Sequence, residues 1–255
     1  MRDDPRSPLK DKPLRNPGQS CDERRRELFE DRLEMPFLWA LGATGMAALE
    51  VWRAYLDQPP HPWLYVFFAC CAILFFLLRL RKYLPEIRNL RLAADGEKAV
   101  GQFLERLRGK GYDVFHDVPA RDFNIDHVIV GPAGIFTIET KTWKKRGDSR
   151  LSFDGETLLV NGRAPERDPI VQARAQSRWL ARQIEEGVGF HVSVRPIVVF
   201  PGWWIEPAEG AHRDVWVLEP KALPAFLERE TVVLDTPHVR QISYHISRYI
   251  RTFAE

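Results

Sequence analysis

Residues 125–141 read IDHVIVGPAGIFTIETK, two short apolar strands around a Gly-Pro-Ala-Gly turn, with an acid near the start and Glu-Thr-Lys at the end. With the turn centred between Pro132 and Ala133, antiparallel partners have residue numbers that sum to a constant. Asp126 then stands opposite Glu139, and Asn124 opposite Lys141. Strand side chains alternate between faces, so Asp126, Glu139 and Lys141 share one. Directly opposed residues have Cβ atoms about 5 Å apart, and two carboxylates that close repel unless a cation or a shared proton lies between them. The pattern predicts a divalent-metal site with an ammonium beside it.

Outward from this hairpin the patterning stays globular. Val100, Phe103, Leu104 and Leu107 mark one face of a preceding helix that Gly109 and Gly111 stop. Residues 113–118 read as a strand. Residues 151–153 and 157–160 form a second hairpin about Asp154 and Gly155, with Asn161 and Gly162 as a further turn signal. Asp168 followed by Pro169 starts a helix through about residue 186, since proline suits the first helical position after an acidic cap. Strands at 194–200 and 215–218 and helices at 221–228 and 238–253 complete the order. Helix, three strands, a hairpin insertion, helix and strand make an α/β sandwich with a mixed sheet.

The first third of the chain is different. Residues 63–78, WLYVFFACCAILFFLL, carry no charge and end at Arg79, Arg81 and Lys82. Extended by Leu80 and Tyr83, the run approaches the roughly 20 residues that span a bilayer core. A shorter apolar run at 35–49 precedes it, and the pair predicts a transmembrane hairpin over 35–83 joined at 57–62. The shorter run also reads as an interfacial helix, because Glu50 follows it. Arg24, Arg25, Arg26 and Arg32 lie before the pair and Arg79, Arg81, Lys82, Arg88 and Arg91 after it. By the positive-inside rule both termini and the globular domain are cytoplasmic, in a multi-pass protein of the cell (inner) membrane. The expected organisation is a disordered or loosely helical tail (1–34), the hairpin (35–83), a basic juxtamembrane linker against lipid headgroups (84–93) and a globular domain (94–255).

Composition excludes several classes. The chain has 255 residues, 45% of them hydrophobic, and a formal charge of +2, too small for bulk attraction to nucleic acid. Its three cysteines offer neither a disulfide framework nor zinc spacing. No phosphate-cradling glycine loop, dinucleotide fingerprint or nucleophile elbow is present.

Gly96 and Glu97 opening the first globular helix, Ile125 to Val128 with Gly131 and Pro132, Glu139-Thr140-Lys141, and Pro169 with Gln172 resemble the NERD (nuclease-related) domain. That family is a branch of the PD-(D/E)XK, restriction-endonuclease-like superfamily. The resemblance covers roughly residues 94–184. It implies a restriction-endonuclease-like fold and Mg²⁺ or Mn²⁺ held by Asp126, Glu139 and the carbonyl of Thr140. It also implies that Lys141 orients or deprotonates the attacking water or stabilises the phosphate in the transition state. Glu97 would approach the metal, and Gln172 would steady Lys141 or the phosphate. The expected activity is hydrolysis of phosphodiester bonds, in DNA above all, by a membrane-anchored nuclease. A non-catalytic membrane module that binds nucleic acid or a protein partner is the alternative.

The residues also have plainer readings. Glu139 and Lys141 form an ordinary strand pair if Asp126 is not opposite, and Glu97 complements a helix dipole. His127, on the other hairpin face, reads as a packed core histidine. Lys144, Lys145 and Arg146 follow the site and predict contacts to a phosphate backbone, continued by Arg150, Arg163, Arg167, Arg174 and Arg178. Trp203 and Trp204 read as an aromatic wall or membrane contact before a base-stacking pair.

Overall fold

The computed structural model of the chain describes residues 14–56, 62–145, 150–206 and 214–253; residues 1–13 of the expected tail, the connection at 57–61 and Arg146 lie outside them. Residues 19–34, expected as disordered or loosely helical, are helical: α1 (Gln19–Phe29) passes through a π-helical turn (Glu30–Glu34) into α2 (Met35–Tyr55). Ion pairs three or four residues apart, Arg25 with Asp22 at 3.0 Å and Arg26 with Glu30 at 2.7 Å, support these turns.

α3 (Pro62–Leu104) then runs for 43 residues. The apolar stretch, the expected linker and the expected globular helix are therefore one continuous helix. Pro85 removes one backbone hydrogen bond without ending it. A 3₁₀ turn (Glu105–Lys110) follows, stopped by Gly111. Among the described residues one helix, beginning at Trp63, is long and apolar enough to cross a membrane. Its large side chains, among them Phe67, Phe68, Leu74 and Leu78, are exposed. α2 also exposes Trp39, Leu41 and Leu49, and Phe37 meets Phe76 at 5.7 Å between ring centroids. Glycines at 42 and 45, Thr44 and Glu50 dilute α2, so a hairpin of two full spans is not evident from composition.

The chain divides into two compact units, residues 20–92 and a globular unit of 93–253 together with 14–19. The globular unit is mixed α/β. β1 (Asp113–Pro119), β2 (Asn124–Gly131) and β3 (Gly134–Thr140) form an antiparallel meander. β4 (Leu151–Phe153) and β5 (Leu158–Val160) pair as a small hairpin. Beyond it, Asn161 and Gly162 at φ of 51° and 76° turn the chain so that Val160 and Arg163 exchange backbone hydrogen bonds, a two-residue turn that needs left-handed backbone. α4 (Pro169–Val188) starts where Asp168 accepts a hydrogen bond from the Ile170 N–H, as the cap signal predicts. It carries the chain to β6 (Val194–Val199), which lies parallel to β3. β7 (Ile205–Glu206) joins β4, β8 (Trp216–Leu218) lies parallel to β6, and α5 (Leu223–Arg229) and α6 (Thr236–Thr252) close the unit.

The main sheet has the order β1-β2-β3-β6-β8. Val100 and Leu104 of α3 and Leu223 and Leu227 of α5 pack with Ile129, Phe136, Ile138 and Trp216. Leu180 and Ile184 of α4 and Ile242 and Ile246 of α6 pack with Val128, Val130 and Ile135 from the other set of alternating strand positions. His127 is fully buried, as expected of a core residue. Its Nδ1 lies 2.9 Å from Nδ1 of His116, whose Nε2 lies 2.9 Å from Glu105. A proton order from His127 to His116 to Glu105 satisfies both contacts. Burial, then His116, pushes His127 well below the usual imidazole range.

Candidate active site

β2 and β3 pair from His127 with Ile138 to Gly131 with Gly134, the register that the turn arithmetic predicts. Alternation carries Asp126 and Glu139, the next residues out, to the face covered by α4. They are not a simple opposed pair. Oδ2 of Asp126 accepts the backbone N–H of Thr140 at 2.6 Å, a short bond that draws the acid toward the end of β3.

Glu139 is almost fully buried, and both of its oxygens are engaged. Oε1 accepts Nζ of Lys141 at 2.5 Å, and Oε2 accepts Nε2 of Gln176 at 2.6 Å. Nζ of Lys141 also donates to Oε1 of Gln172 at 3.1 Å. The same Nε2 of Gln176 donates to the carbonyl of Asn124 at 3.1 Å, tying α4 to the start of β2. Gln172 and Gln176 are one helical turn apart and face the same side of α4. The expected role of Gln172 beside Lys141 therefore has a contact behind it. The one sequence signal for Gln176 is its i, i+4 spacing from Gln172.

Glu97 reaches the cluster because of the residue before it. A Cβ on Gly96 would lie 1.7 Å from Oγ1 and 2.8 Å from Cβ of Thr142, so only glycine lets α3 approach the chain this closely just past β3. Glu97 is itself buried. Removal from water, then the charges of Glu139 and Glu97, hold the Asp126 carboxyl well above the usual carboxylate range, against the Thr140 N–H and Lys141. Three acids are thus electrostatically coupled at the carboxyl end of β3, a common place for ligands in open α/β sheets.

Among the described residues no three acidic, histidine or cysteine side chains converge as a ready set of metal ligands. The donor chemistry nevertheless suits a hard divalent cation. It offers carboxylate and carbonyl oxygens, and a cation would relieve the repulsion from Glu139 and Glu97 that adds to burial in raising Asp126. Such an ion would compete with Lys141 for Glu139.

The expected phosphate contacts divide. Lys144 is exposed. Lys145 instead donates to the Gly202 carbonyl and lies over the Trp203 ring at 5.4 Å. Arg174 pairs with Asp214 at 2.8 Å and Arg150 with Glu206 at 3.6 Å, so neither is an uncommitted cation. Trp203 is buried and donates through Nε1 to the Trp143 carbonyl at 3.2 Å, while Trp204 is exposed.

Residues 92–201 match the family model of the nuclease-related domain. No curated protein sequence matches the chain. Among solved structures, Pyrococcus furiosus SfsA in complex with Ca²⁺ is found at 17% identity, covering 59% of this chain and 51% of that one, with a TM-score of 0.22. The chain thus spans about half the length of that protein.

Proposed function

Proceeding from the nuclease-related (NERD) domain at residues 92–201, we propose that this chain is a membrane-anchored, metal-dependent nuclease that hydrolyses phosphodiester bonds, in DNA above all. The observation that carries the reading is the coupling of Glu97, Asp126 and Glu139 around Lys141 at the end of β3. A PD-(D/E)XK arrangement of a restriction-endonuclease-like domain accounts for an acid on β2, an acid and a lysine on β3, and a glutamate from the preceding helix.

Asp126, Glu139 and the Thr140 carbonyl, with Glu97 nearby, would hold Mg²⁺ or Mn²⁺. Bound there, the ion supplies charge neutralisation at the phosphate and a more acidic coordinated water. The chain's own groups do the rest. Lys141, released from Glu139 but kept by Gln172, presents its ammonium to the attacking water or to a phosphate oxygen. Gln176 fixes the orientation of Glu139. Lys144, with Arg146 beside it in sequence, continues toward the phosphate backbone.

The membrane reading rests on α3 and on a second observation. Arg15, which precedes both apolar helices, pairs with buried Asp117 of β1 at 2.7 Å, and Pro17 packs on Gly101. Residues 14–19 and 93–253 therefore belong to one unit on one side of any bilayer. A chain that leaves and returns to the same side crosses an even number of times. If α3 crosses, a second crossing falls between residues 20 and 62, where α2 is the available helix. The basic flanks support the cytoplasm as that common side.

The test is cleavage by the full chain in nanodiscs, with single- and double-stranded DNA and RNA, in Mg²⁺, Mn²⁺ or EDTA. Metal-dependent cleavage is expected. Nucleic-acid binding without cleavage under every condition would replace the enzyme with a binding module.

A further inference from the structure

Beyond the acidic cluster, the turn after β6 and the segment after β8 frame a groove with α3. It encloses about 660 Å³ and is lined by Phe103 and Arg106, by Pro201 and Gly202, and by Pro220 and Lys221. A smaller groove of about 230 Å³ adjoins it, lined by Trp203, Trp204 and Phe226 and sharing Glu219. The first is cationic. Arg106 and Lys221 are both exposed, with Arg106 over the Phe103 ring at 5.6 Å. Glu219, which both grooves share, accepts the Lys221 N–H at 2.9 Å and keeps its charge, so two cations and one acid leave the first groove with a net positive charge of one. The second is aromatic: Trp204 is 74% exposed beside Trp203, which is 3% exposed.

These grooves are tied to the candidate active site. Lys145 bonds the Gly202 carbonyl, and Trp203 bonds the Trp143 carbonyl, so the turn that presents Trp204 is fastened to the chain leaving Lys141. Along α3 and into the 3₁₀ turn that follows, Glu97 and Arg106 are nine residues apart, about 14 Å along the axis and on different faces, so the link from groove to site runs through the Lys145 and Trp203 bonds.

The geometry points to a single strand of nucleic acid as the occupant: its phosphates lie at Arg106 and Lys221, and an unpaired base stacks on Trp204. This rests on the nuclease reading and names its substrate class. A cationic groove beside an exposed aromatic face is how unpaired strands are held without sequence preference. A duplex offers phosphates but buries its base faces, so it gains nothing from Trp204.

Fluorescence anisotropy of the full chain in nanodiscs tests the assignment, in EDTA so that no strand is cut. The probes are labelled (dT)₁₂ and a labelled 12-base-pair duplex. Trp204→Ala is expected to weaken (dT)₁₂ binding at least about fivefold and to change duplex binding less than twofold. Arg106→Ala with Lys221→Ala should flatten the slope of log affinity against log salt for (dT)₁₂ by about 1.4. Equal losses for both probes, or none for either while metal-dependent cleavage persists, would overturn the single-strand assignment and leave the nuclease reading intact. If neither probe binds and nothing is cleaved, the nuclease reading fails and this inference falls with it.

Discussion

Lys141 and Glu139 are two residues apart on one strand face, and their side chains meet at 2.5 Å. Gln176 holds the other Glu139 oxygen. The acid expected to bind metal is thus satisfied by protein alone, and the lysine expected to meet substrate is bound to that acid. On the proposed reading, a cation reaching Glu139 would free Lys141, with Gln172 left to hold it near the site, and would thereby link metal binding to presentation of the ammonium.

Asp126 provides a stability test. Its folded pKa is raised by burial first, then by Glu139 and Glu97. Its favourable contribution is thus fully present below the unfolded value of about 3.9 and is lost as pH rises through the folded value. Above the unfolded value the acid therefore costs the metal-free fold stability. Asp126→Asn keeps an acceptor for the Thr140 N–H and removes the charge. It should raise the metal-free Tm at pH 7.5 by roughly 2–4 °C, with the gain fading toward pH 4. Mn²⁺ should stabilise the native chain and leave the variant unmoved. Differential scanning fluorimetry in EDTA and in Mn²⁺ reads both, and a variant less stable than the native chain at pH 7.5 would contradict the electrostatic account.

Gln176→Ala removes the donor that orients Glu139. Loss of a partner that positions a metal ligand commonly lowers metal affinity or activity about 10- to 100-fold. That range is expected for Mn²⁺ binding by titration calorimetry, whereas Gln172→Ala should leave Mn²⁺ affinity within a few-fold and slow the chemical step. Identical effects of the two substitutions on both readouts would mean that α4 acts only as packing.

Gly96→Ala places a methyl group against Thr142. Overpacking of this kind costs typically about 1–3 kcal/mol, and it should move Glu97 away from Asp126. Thermal stability and metal-dependent cleavage should fall together, and the added change Thr142→Ala should restore part of both. An unaltered protein after Gly96→Ala would show that the close approach is not required.

Some of this was legible in the sequence. The near-palindromic turn and strict alternation specified the β2/β3 register, and the Asp168-Pro169 cap specified the start of α4. The continuity of α3 was hidden, because Pro85 among basic residues reads as a linker although helix on both sides carries through it. Gln176 is uncharged and far from Glu139 in sequence, so its bond arises only when α4 crosses the sheet. Lys145 looked like a phosphate ligand because its partner, Gly202, lies 57 residues away. At two residues, β7 is too short to show a period.

The proposed topology rests on the pairing of Arg15 with Asp117. Reporters fused at the N-terminus and after Glu255 should give the same compartment, the cytoplasm, and a reporter inserted at Asp57 the opposite one. Reporters at the two ends in different compartments would break the even-crossing argument.

The most direct test of the central claim is single-turnover cleavage paired with Mn²⁺ titration on the full chain and three variants. Asp126→Ala and Glu139→Ala should each abolish cleavage and weaken Mn²⁺ binding. Lys141→Ala should bind Mn²⁺ at least as well as the native chain, because Glu139 is no longer occupied, yet lower the chemical step at least ~100-fold. Normal cleavage by Asp126→Ala, or Mn²⁺ binding that falls with the loss of Lys141, would contradict the account.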